Sequence, residues 1–279
     1  MSRGTVLVTG TSSGIGRATA LHLATCGFDV LAGVRGDADA AAVAALAPER
    51  ISPVILDVTA PDQVWAAADR ARSSGLVGLV NNAGVTFQGP IERLALDDLR
   101  RQLEVNLIGA VVMTQATLPL LRASKGRIVM LSSIGGRRAL PFLSPYNASK
   151  FALEGLSDSL RQELRPQGIE VAIIQPGSVK TAIWQKGTES GREALETLDP
   201  EARALYGTRL EAMMKAASKT AARGVEPVEV AEAIAHALTS SRPKTRYVVG
   251  LDARIQMRMA AVLPTRTLDA FVARVTGTR

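Results

Sequence analysis

The segment TVLVTGTSSGIGRATALHLA, residues 5–24, decides the fold of this chain. An apolar run at 5–9 is followed by a glycine-rich turn and then by a helical pattern at 14–26. Glycine permits a tight turn, and the backbone N–H groups at a helix N-terminus favour a pyrophosphate. The glycine spacing is G-x₃-G-x-G, and its strand-turn-helix context predicts a dinucleotide phosphate loop. The predicted phosphate contacts are Gly10, Ser12, Ser13, Gly14 and Ile15.

The same alternation of strand and helix continues outward along the chain. Apolar runs predict seven strands, at 5–9, 29–34, 51–57, 76–81, 127–132, 169–175 and 246–249. Helical patterns lie between them, near 14–26, 38–47, 61–74, 97–122, 146–165 and 227–240. Right-handed crossovers place such helices on both faces of a parallel sheet. We therefore expect an α/β fold, a doubly wound, Rossmann-like parallel sheet of about seven strands.

Two segments fall outside this alternation. Residues 182–224 form an insertion, predicted to be a substrate lid, with apolar side chains at Trp184, Leu195, Leu198, Leu205, Met213 and Met214. Residues 252–279 form a C-terminal tail whose apolar residues share one helical face, namely Ile255, Met259, Val262 and Leu263. No Gly/Ser- or Pro-rich linker divides the chain, so we expect a single domain over 1–279 that carries both segments.

The composition argues against several classes of protein. The net charge is +7, from 33 basic and 26 acidic residues, but the basic residues are scattered, so we expect no nucleic-acid binding. One cysteine, Cys26, and two histidines predict neither an internal disulfide nor a structural metal site. The first residues run directly into an apolar strand, so we expect no secretory signal, and no apolar run approaches the roughly 20 residues that span a bilayer. We therefore expect a cytoplasmic protein.

Several short motifs occur in a fixed order along the chain. They are TGxxxGIG at 9–16, NNAG at 81–84, Asn106, Ser133, Tyr146-x₃-Lys150 and Pro176-Gly177. In order and approximate spacing they resemble the short-chain dehydrogenase/reductase family, closely over residues 5–181 and again over 227–250. The stretches VLAGVR and PGSVKTAIW are similar to its steroid and retinol dehydrogenase branch. The resemblance implies an NAD(P)-dependent oxidoreductase acting on alcohol or carbonyl groups.

Tyr146 and Lys150 are the predicted proton-transfer pair. They lie at i and i+4 of one helical pattern, so their side chains share a face. A free tyrosine has a pKa near 10, and we expect the Lys150 ammonium and an oxidised nicotinamide to lower the pKa of Tyr146. Ser133 ends the fifth strand and is predicted to hold the reacting oxygen, whereas strand alternation points Ser132 elsewhere. The resemblance implies that Asn106 organises a proton path to the lysine.

The end of the second strand bears on the choice of cofactor. NAD-selective proteins of this fold carry an acidic side chain there, but this chain has Val34 followed by Arg35. A guanidinium can bind a 2′-phosphate, which favours NADP(H), with NAD(H) possible; alternatively, Arg35 is one surface arginine among many. The resemblance implies further cofactor contacts at Asp57, Val58, Asn82, Ala83, Gly84, Tyr146, Lys150, Pro176, Gly177, Val179 and Thr181. Asp57 could instead cap the turn before Pro61.

The lid and tail bear on the substrate and partners. Trp184, Met213 and Met214 suit a hydrophobic alcohol or ketone such as a steroid, retinoid or lipid-derived carbonyl, or they simply pack the lid onto the body. The tail could lie on an anionic membrane, fold over the substrate mouth or contact a subunit; its arginines are Arg254, Arg258, Arg266 and Arg274. A homodimer or homotetramer is expected through helices 97–122 and 146–165. The alternative functions are a non-catalytic cofactor-binding regulator and a peripheral membrane protein.

Overall fold

The computed structural model describes residues 2–277, apart from the side chains of residues 182–186, and its centre is one parallel β-sheet. The strands are β1 (Thr5–Val8), β2 (Asp29–Val34), β3 (Ile51–Ile55), β4 (Leu76–Asn81), β5 (Arg127–Leu131), β6 (Glu170–Pro176) and β7 (Arg246–Val249). Their order in the sheet is β3-β2-β1-β4-β5-β6-β7, and every neighbouring pair is parallel. The predicted doubly wound α/β fold with seven strands is confirmed.

Helices cover both faces of the sheet. Those in the body are α1 (Gly14–Thr25), α2 (Asp37–Ala44), α3 (Pro61–Arg72), α4 (Leu96–Leu103), α5 (Gly109–Ser124), α6 (Ser144–Leu164) and α9 (Pro227–Thr239). The insertion contains α7 (Ala182–Glu196) and α8 (Pro200–Ala222), and the tail contains α10 (Leu251–Val262) and α11 (Thr265–Thr276).

The central strands contribute side chains to two separate hydrophobic cores. In β1, Val6 and Val8 face the core formed with α1 and α9, while Leu7 between them faces the core formed with α3 and α5. All three side chains are fully buried. Burial of a side chain this size contributes about 1.5–3 kcal/mol, so the central strand holds both helical layers in place. Because all seven strands are parallel, their carboxyl ends lie at one edge of the sheet.

The helical pattern predicted as one element at 97–122 is interrupted. A π-helical turn, Glu104–Ile108, separates α4 from α5. At Gly109 a Cβ atom would lie 2.7 Å from a Val58 methyl carbon, so the chain passes unusually close to the loop after β3. One extra residue in a single helical turn hardly changes the hydrophobic periodicity, so the interruption could not be predicted from the sequence.

One helical stretch in the described part of the chain, Leu96–Ser124, is long and apolar enough to cross a membrane by length and composition. Its apolar residues do not form an uninterrupted run, so the sequence did not predict such a stretch. Met113 and Leu121 on this stretch are fully buried in the core beneath the sheet. Such burial is typical of the core helix of a folded domain.

The insertion and the tail pack against each other. Helices α7 and α8 are in contact, and α11 lies against α8, where Val272 is buried and Gly277 faces Ala212. The predicted apolar face of the tail is largely left open, since Ile255 is 51% and Val262 80% exposed. The side chain of Trp184 lies outside the described residues.

Candidate active site

In the glycine-rich loop between β1 and α1, two stretches of backbone lie so close together that there is no room for a side chain between them. Gly10 and Gly14 have φ angles of +70° and +54°, which favour glycine. At Gly16 a Cβ atom would lie 2.1 Å from the carbonyl oxygen of Gly10. The third glycine of the motif is therefore required by contact within the loop itself, a role that the sequence analysis did not assign.

Thr9 joins this loop to the end of β4. Its Oγ1 accepts hydrogen bonds from the backbone N–H groups of Asn82 and Ala83, both at 2.9 Å. In return, Asn82 Nδ2 donates to the carbonyl oxygens of Thr9 and Gly10 at 2.8 and 2.9 Å. The sequence placed Thr9 in the motif without a function, and only the spatial neighbourhood of β1 and β4 reveals one.

A cleft of about 410 Å³ opens above these strand ends. Of the predicted cofactor contacts, the following line it: Gly10, Ser12, Ser13, Gly14, Ile15, Arg35, Asp57, Val58, Asn82, Ala83, Gly84 and Thr181. Five predicted contacts are not among the residues that line the cleft. Tyr146 and Lys150 lie on α6, Pro176 ends β6, Gly177 packs against Asp252, and Val179 pairs with Val225. Two lid residues that the sequence analysis did not single out, Glu189 and Glu193 of α7, also line the cleft.

Asp57 both caps the turn that follows it and lines the cleft, the two roles that its sequence context allowed. Its Oδ1 caps the following turn, accepting from the Thr59 backbone N–H at 2.9 Å and the Thr59 hydroxyl at 2.7 Å. It also lines the cleft, with Arg101 at 3.7 Å. Burial alone would raise the pKa of the Asp57 carboxyl, but the Thr59 hydrogen bonds and the charges of Arg101 and Arg35 hold it below its usual value.

Arg101 is a cleft residue that sequence reasoning missed. It lies on α4, and its Nη1 donates to Thr59 Oγ1 at 3.2 Å. Together with Arg35 it places two guanidinium groups on the wall of the cleft near Asp57. Nothing in the local sequence distinguishes Arg101 from its exposed neighbour Arg100, because only the packing of α4 beside the β3 loop brings it to the cleft.

Ser133 and Tyr146 meet just beyond the end of β5. Their side chains are hydrogen-bonded, and Ser133 Oγ also accepts from the Gly135 backbone N–H at 3.0 Å. Ser132 is buried on the other side of the chain, next to Gly136. Burial raises the pKa of the Tyr146 phenol, and the bond to Ser133 offsets this only in part. The predicted lowering of the phenol pKa includes the charge of an oxidised nicotinamide and stays a prediction.

Lys150 connects this pair to the cleft. Its Nζ donates to the Leu131 carbonyl oxygen at 2.7 Å and lies 5.8 Å from the centre of the Tyr146 ring, and Leu131 itself lines the cleft. The lysine is only 5% exposed, and burial lowers its pKa to about 8, although the charge of Glu154 opposes that shift. Lys150 is thus a buried cation next to the phenol, and a surface Tyr–Lys pair is excluded.

Asn106 lies in the π-helical turn and fastens the cleft wall to α6. Its Oδ1 accepts from the Val85 N–H at 2.8 Å, and its Nδ2 donates to the Val85 carbonyl at 3.0 Å and to Ser149 Oγ at 3.2 Å. π-Helical turns are frequent at functional sites because they redirect single side chains. The wider turn here aims Asn106 at the segment after β4.

The residues of the cleft fit a dinucleotide. The glycine loop exposes backbone N–H groups at the start of α1, where a pyrophosphate is favoured. Thr181 Oγ1 is buried without a hydrogen-bond partner among the described residues, so a polar group is available to a ligand at that end. The phenol, the hydroxyl and the ammonium do not themselves line the cleft, and Lys150 is linked to its wall through the Leu131 carbonyl. A nucleotide cleft with these three groups beside it suits a nicotinamide-dependent oxidoreductase.

The chain belongs to the short-chain dehydrogenase family, whose profile matches residues 4–191. It is 38% identical over 275 residues to retinol dehydrogenase 5 of Mus musculus, covering 95% of this chain and 86% of that protein. It is 35% identical over 280 residues to 17-beta-hydroxysteroid dehydrogenase type 6 of Bos taurus, covering 96% and 87%. A Burkholderia cenocepacia short chain dehydrogenase solved with NADP superposes with a TM-score of 0.74 at 26% identity, over 98% of each chain.

These similarities establish the activity at a coarse level. The chain is an oxidoreductase of the retinol and steroid dehydrogenase-like branch, acting on alcohol or carbonyl groups. The resemblance expected from the sequence is thereby confirmed.

The glycine loop gives a first test. Gly16→Ala introduces the Cβ that would meet the Gly10 carbonyl, and we expect it to lower the free energy of unfolding by about 1–3 kcal/mol. It should also weaken NADPH binding by about tenfold or more, or about 1.4 kcal/mol, because the loop backbone must move. Thermal unfolding and fluorescence titration measure the two effects.

The matched control is Gly155→Ala on α6, where a Cβ meets nothing within 4 Å. That change should leave binding intact and stabilise the helix by up to about 1 kcal/mol. Equal nucleotide affinity in both variants would contradict the assigned role of the loop.

Proposed function

We propose that this protein transfers a hydride between NADP(H) and the alcohol or carbonyl group of a hydrophobic substrate, with Tyr146 as general acid and base. The observation that carries the proposal is the linkage of Tyr146 to Ser133 and, through Lys150 and the Leu131 carbonyl, to the wall of the nucleotide cleft. The alternative of a non-catalytic cofactor-binding regulator has less support, because the complete set of reactive groups is gathered at one site.

In carbonyl reduction Tyr146 is the proton donor. Burial raises the pKa of the phenol, so the proton is present for transfer, and the charge of Lys150 eases its release by stabilising the phenolate that forms. The Ser133 hydroxyl, already directed at the phenol, holds the carbonyl oxygen, and the phenol proton passes to that oxygen as the carbonyl carbon accepts the hydride. The bound nicotinamide supplies that hydride, or accepts it in the reverse direction.

In alcohol oxidation Tyr146 must act as a phenolate. Lys150 lies within 5.8 Å of the ring centre, and its positive charge favours the ionised phenol. The hydrogen bond to the Leu131 carbonyl fixes the ammonium in place, so this stabilisation needs no rearrangement during the reaction. Asn106 supports the same region by holding the Val85 segment, and we propose that it also organises the path by which protons reach Lys150.

A preference for NADP(H) follows from charge at the cleft wall. Val34 leaves the end of β2 without a carboxylate, while Arg35 and Arg101 line the cleft. Two guanidinium groups favour the additional phosphate of NADP(H). The Burkholderia cenocepacia relative in complex with NADP supports this choice, and NAD(H) remains the alternative.

A hydrophobic substrate is supported by the names of the retinol and steroid dehydrogenases among the relatives. The burial of the apolar lid residues is consistent with either packing onto the body or contact with a substrate. Met213 and Leu198 are buried and pack the lid, whereas Leu205 is 56% exposed. We propose that α7 and α8 cover an apolar alcohol or ketone.

Assembly, compartment and domain organisation remain predictions. Ile108, just before α5, and Phe151 on α6 are 42% and 46% exposed, which suits a homodimer or homotetramer built through these helices. We propose a single domain, since the two hydrophobic cores share one sheet. A cytoplasmic location remains an expectation from the sequence.

Replacing the phenol tests the reaction. Tyr146→Phe removes the transferable proton and keeps the ring, so we expect unchanged NADPH affinity and a kcat lower by about 10²–10⁴-fold. Hydrophobic ketones and alcohols are screened with the unaltered protein at the absorbance of the reduced nicotinamide, and the best substrate is used for the variant. Full activity in Tyr146→Phe would refute the proposed role.

Replacing Arg35 tests the cofactor. Arg35→Ala removes a charged hydrogen-bond donor. A hydrogen bond to a charged group contributes about 1.5–3 kcal/mol of binding free energy, so its loss should weaken NADPH binding by about 10- to 100-fold. NADH affinity should change little, and fluorescence titration measures both. Arg72→Ala, which removes an exposed guanidinium paired with Asp69 on α3, is the control. Tighter binding of NADH than of NADPH by the unaltered protein would overturn the preference.

A second candidate function is contact with an anionic membrane through α10. Leu251, Ile255 and Val262 are exposed on this helix, and Arg254 and Arg258 are exposed beside them. Apolar side chains with basic neighbours suit the surface of an anionic bilayer.

The double substitution Ile255→Asp and Val262→Asp tests this contact. We expect it to reduce sedimentation with phosphatidylserine vesicles by about tenfold or more, because each buried apolar side chain contributes about 1.5–3 kcal/mol. Trp65→Asp, equally exposed on α3 at 51%, is the control. If the unaltered protein does not sediment with the vesicles, this function is excluded.

A further inference from the structure

The catalytic helix α6 carries a second ionisable group that the proposed mechanism does not use. Glu154 follows Lys150 by four residues, so the two side chains share the helix face that also carries Tyr146. The carboxylate is only 3% exposed. A buried charge is costly unless it is paired and hydrogen-bonded, so its partners indicate its role.

Both carboxylate oxygens of Glu154 are occupied. Oε1 accepts from Gln175 Nε2 on β6 at 2.9 Å, and Oε2 accepts from Arg246 Nε on β7 at 3.0 Å. Arg246 in turn donates to Asp158 at 2.6 Å, and Asp158 pairs with Arg161. Charges of alternating sign therefore run from Lys150 to the surface.

Few other ionisable groups face Lys150 from the described elements around it. On α6 these are Tyr146 and Glu154; β5 offers only the Leu131 carbonyl, and β6 offers the uncharged Gln175. The turn at Ile134–Gly136 has no ionisable side chain, and the π-helical turn and α4 contribute Glu104 and the cleft residue Arg101, both exposed. From β7, Arg246 acts through Glu154.

We propose that Glu154 is a positioning residue that keeps Lys150 protonated and directed at Tyr146 and the Leu131 carbonyl, with Arg246 limiting the strength of its charge. The proposal rests on the proposed function only in its catalytic consequence, since the charge state of Lys150 can be measured without turnover. The competing interpretation is that Glu154 merely anchors α6 to β6 and β7.

The physical basis is the balance between burial and charge. Burial lowers the pKa of Lys150 to about 8 even though Glu154 opposes that shift. Without the carboxylate, burial acts unopposed, and the ammonium loses its proton at lower pH. Less ammonium at neutral pH means weaker support for the Tyr146 phenolate and a weaker hydrogen bond to Leu131.

Glu154→Gln separates charge from anchoring. The side chain keeps its shape and can still accept from Arg246. Its new amide can donate to Gln175 once the Gln175 carboxamide turns over to present Oε1, which is buried without a partner among the described residues. Asp158→Asn is the matched control, because it alters the same ion network two helical turns from Lys150. Arg246→Gln should shift the Lys150 titration in the opposite direction, because it leaves the negative charge of Glu154 uncompensated.

The primary measurement is the ¹³C NMR titration of lysine ε-carbons in the full-length protein. The chain has only seven lysines, and Lys150→Arg identifies the resonance of interest. We expect Glu154→Gln to raise the acid ionisation constant of Lys150 by about tenfold, a shift of one pH unit. Asp158→Asn should change it less than twofold, and Arg246→Gln should lower it.

An unchanged Lys150 titration in Glu154→Gln would overturn the proposal and leave Glu154 as an anchor. Should that variant fail to fold, an unchanged or increased constant in Arg246→Gln would overturn it equally. The catalytic consequence is tested by kcat/KM for carbonyl reduction against pH, whose alkaline limb should move to lower pH in Glu154→Gln. If the Lys150 titration shifts but the alkaline limb of kcat/KM does not move, the positioning role is refuted. Failure of the proposed function is recognised separately, by full activity in Tyr146→Phe.

Discussion

The close backbone approach at the end of β1 is the constraint on which the site depends. Gly16 lies against the Gly10 carbonyl at a distance that excludes any side chain, and Asn82 donates to the same carbonyl from the end of β4. This contact aligns the start of α1 with the strand ends, because a displaced loop would lose both the helix N-terminus and the β4 wall. The nucleotide cleft and its neighbouring polar groups follow from that alignment.

The chemistry depends on burying charged and polar groups with few partners. Tyr146 and Lys150 are removed from water, and burial moves the pKa of each towards its neutral form. The protein opposes this with local interactions: Ser133 for the phenol and Glu154 for the ammonium. The phenol therefore keeps its proton, and both its release and the formation of a phenolate depend on positive charge nearby.

The insertion and the tail form one layer over the body. Helix α11 packs on α8, and α7 brings Glu189 and Glu193 to the wall of the nucleotide cleft. The insertion and the tail are consequently in physical contact, so a change in one can reach the other. The exposed apolar face of α10, with its arginines, lies on the outside of this layer.

The sequence by itself determined the strand and helix alternation, the parallel sheet, and the positions of the glycine loop, Ser133, Tyr146 and Lys150. These depend on periodicity and on short motifs, which act within a few residues of chain. It could not place Arg101 at the cleft or Glu154 beside Arg246, because these contacts join elements distant in sequence. It also missed the π-helical turn that aims Asn106, because one extra residue in a turn leaves no mark on hydrophobic periodicity. The direction of the Tyr146 pKa shift was likewise decided only in three dimensions, since burial is a property of the packed molecule.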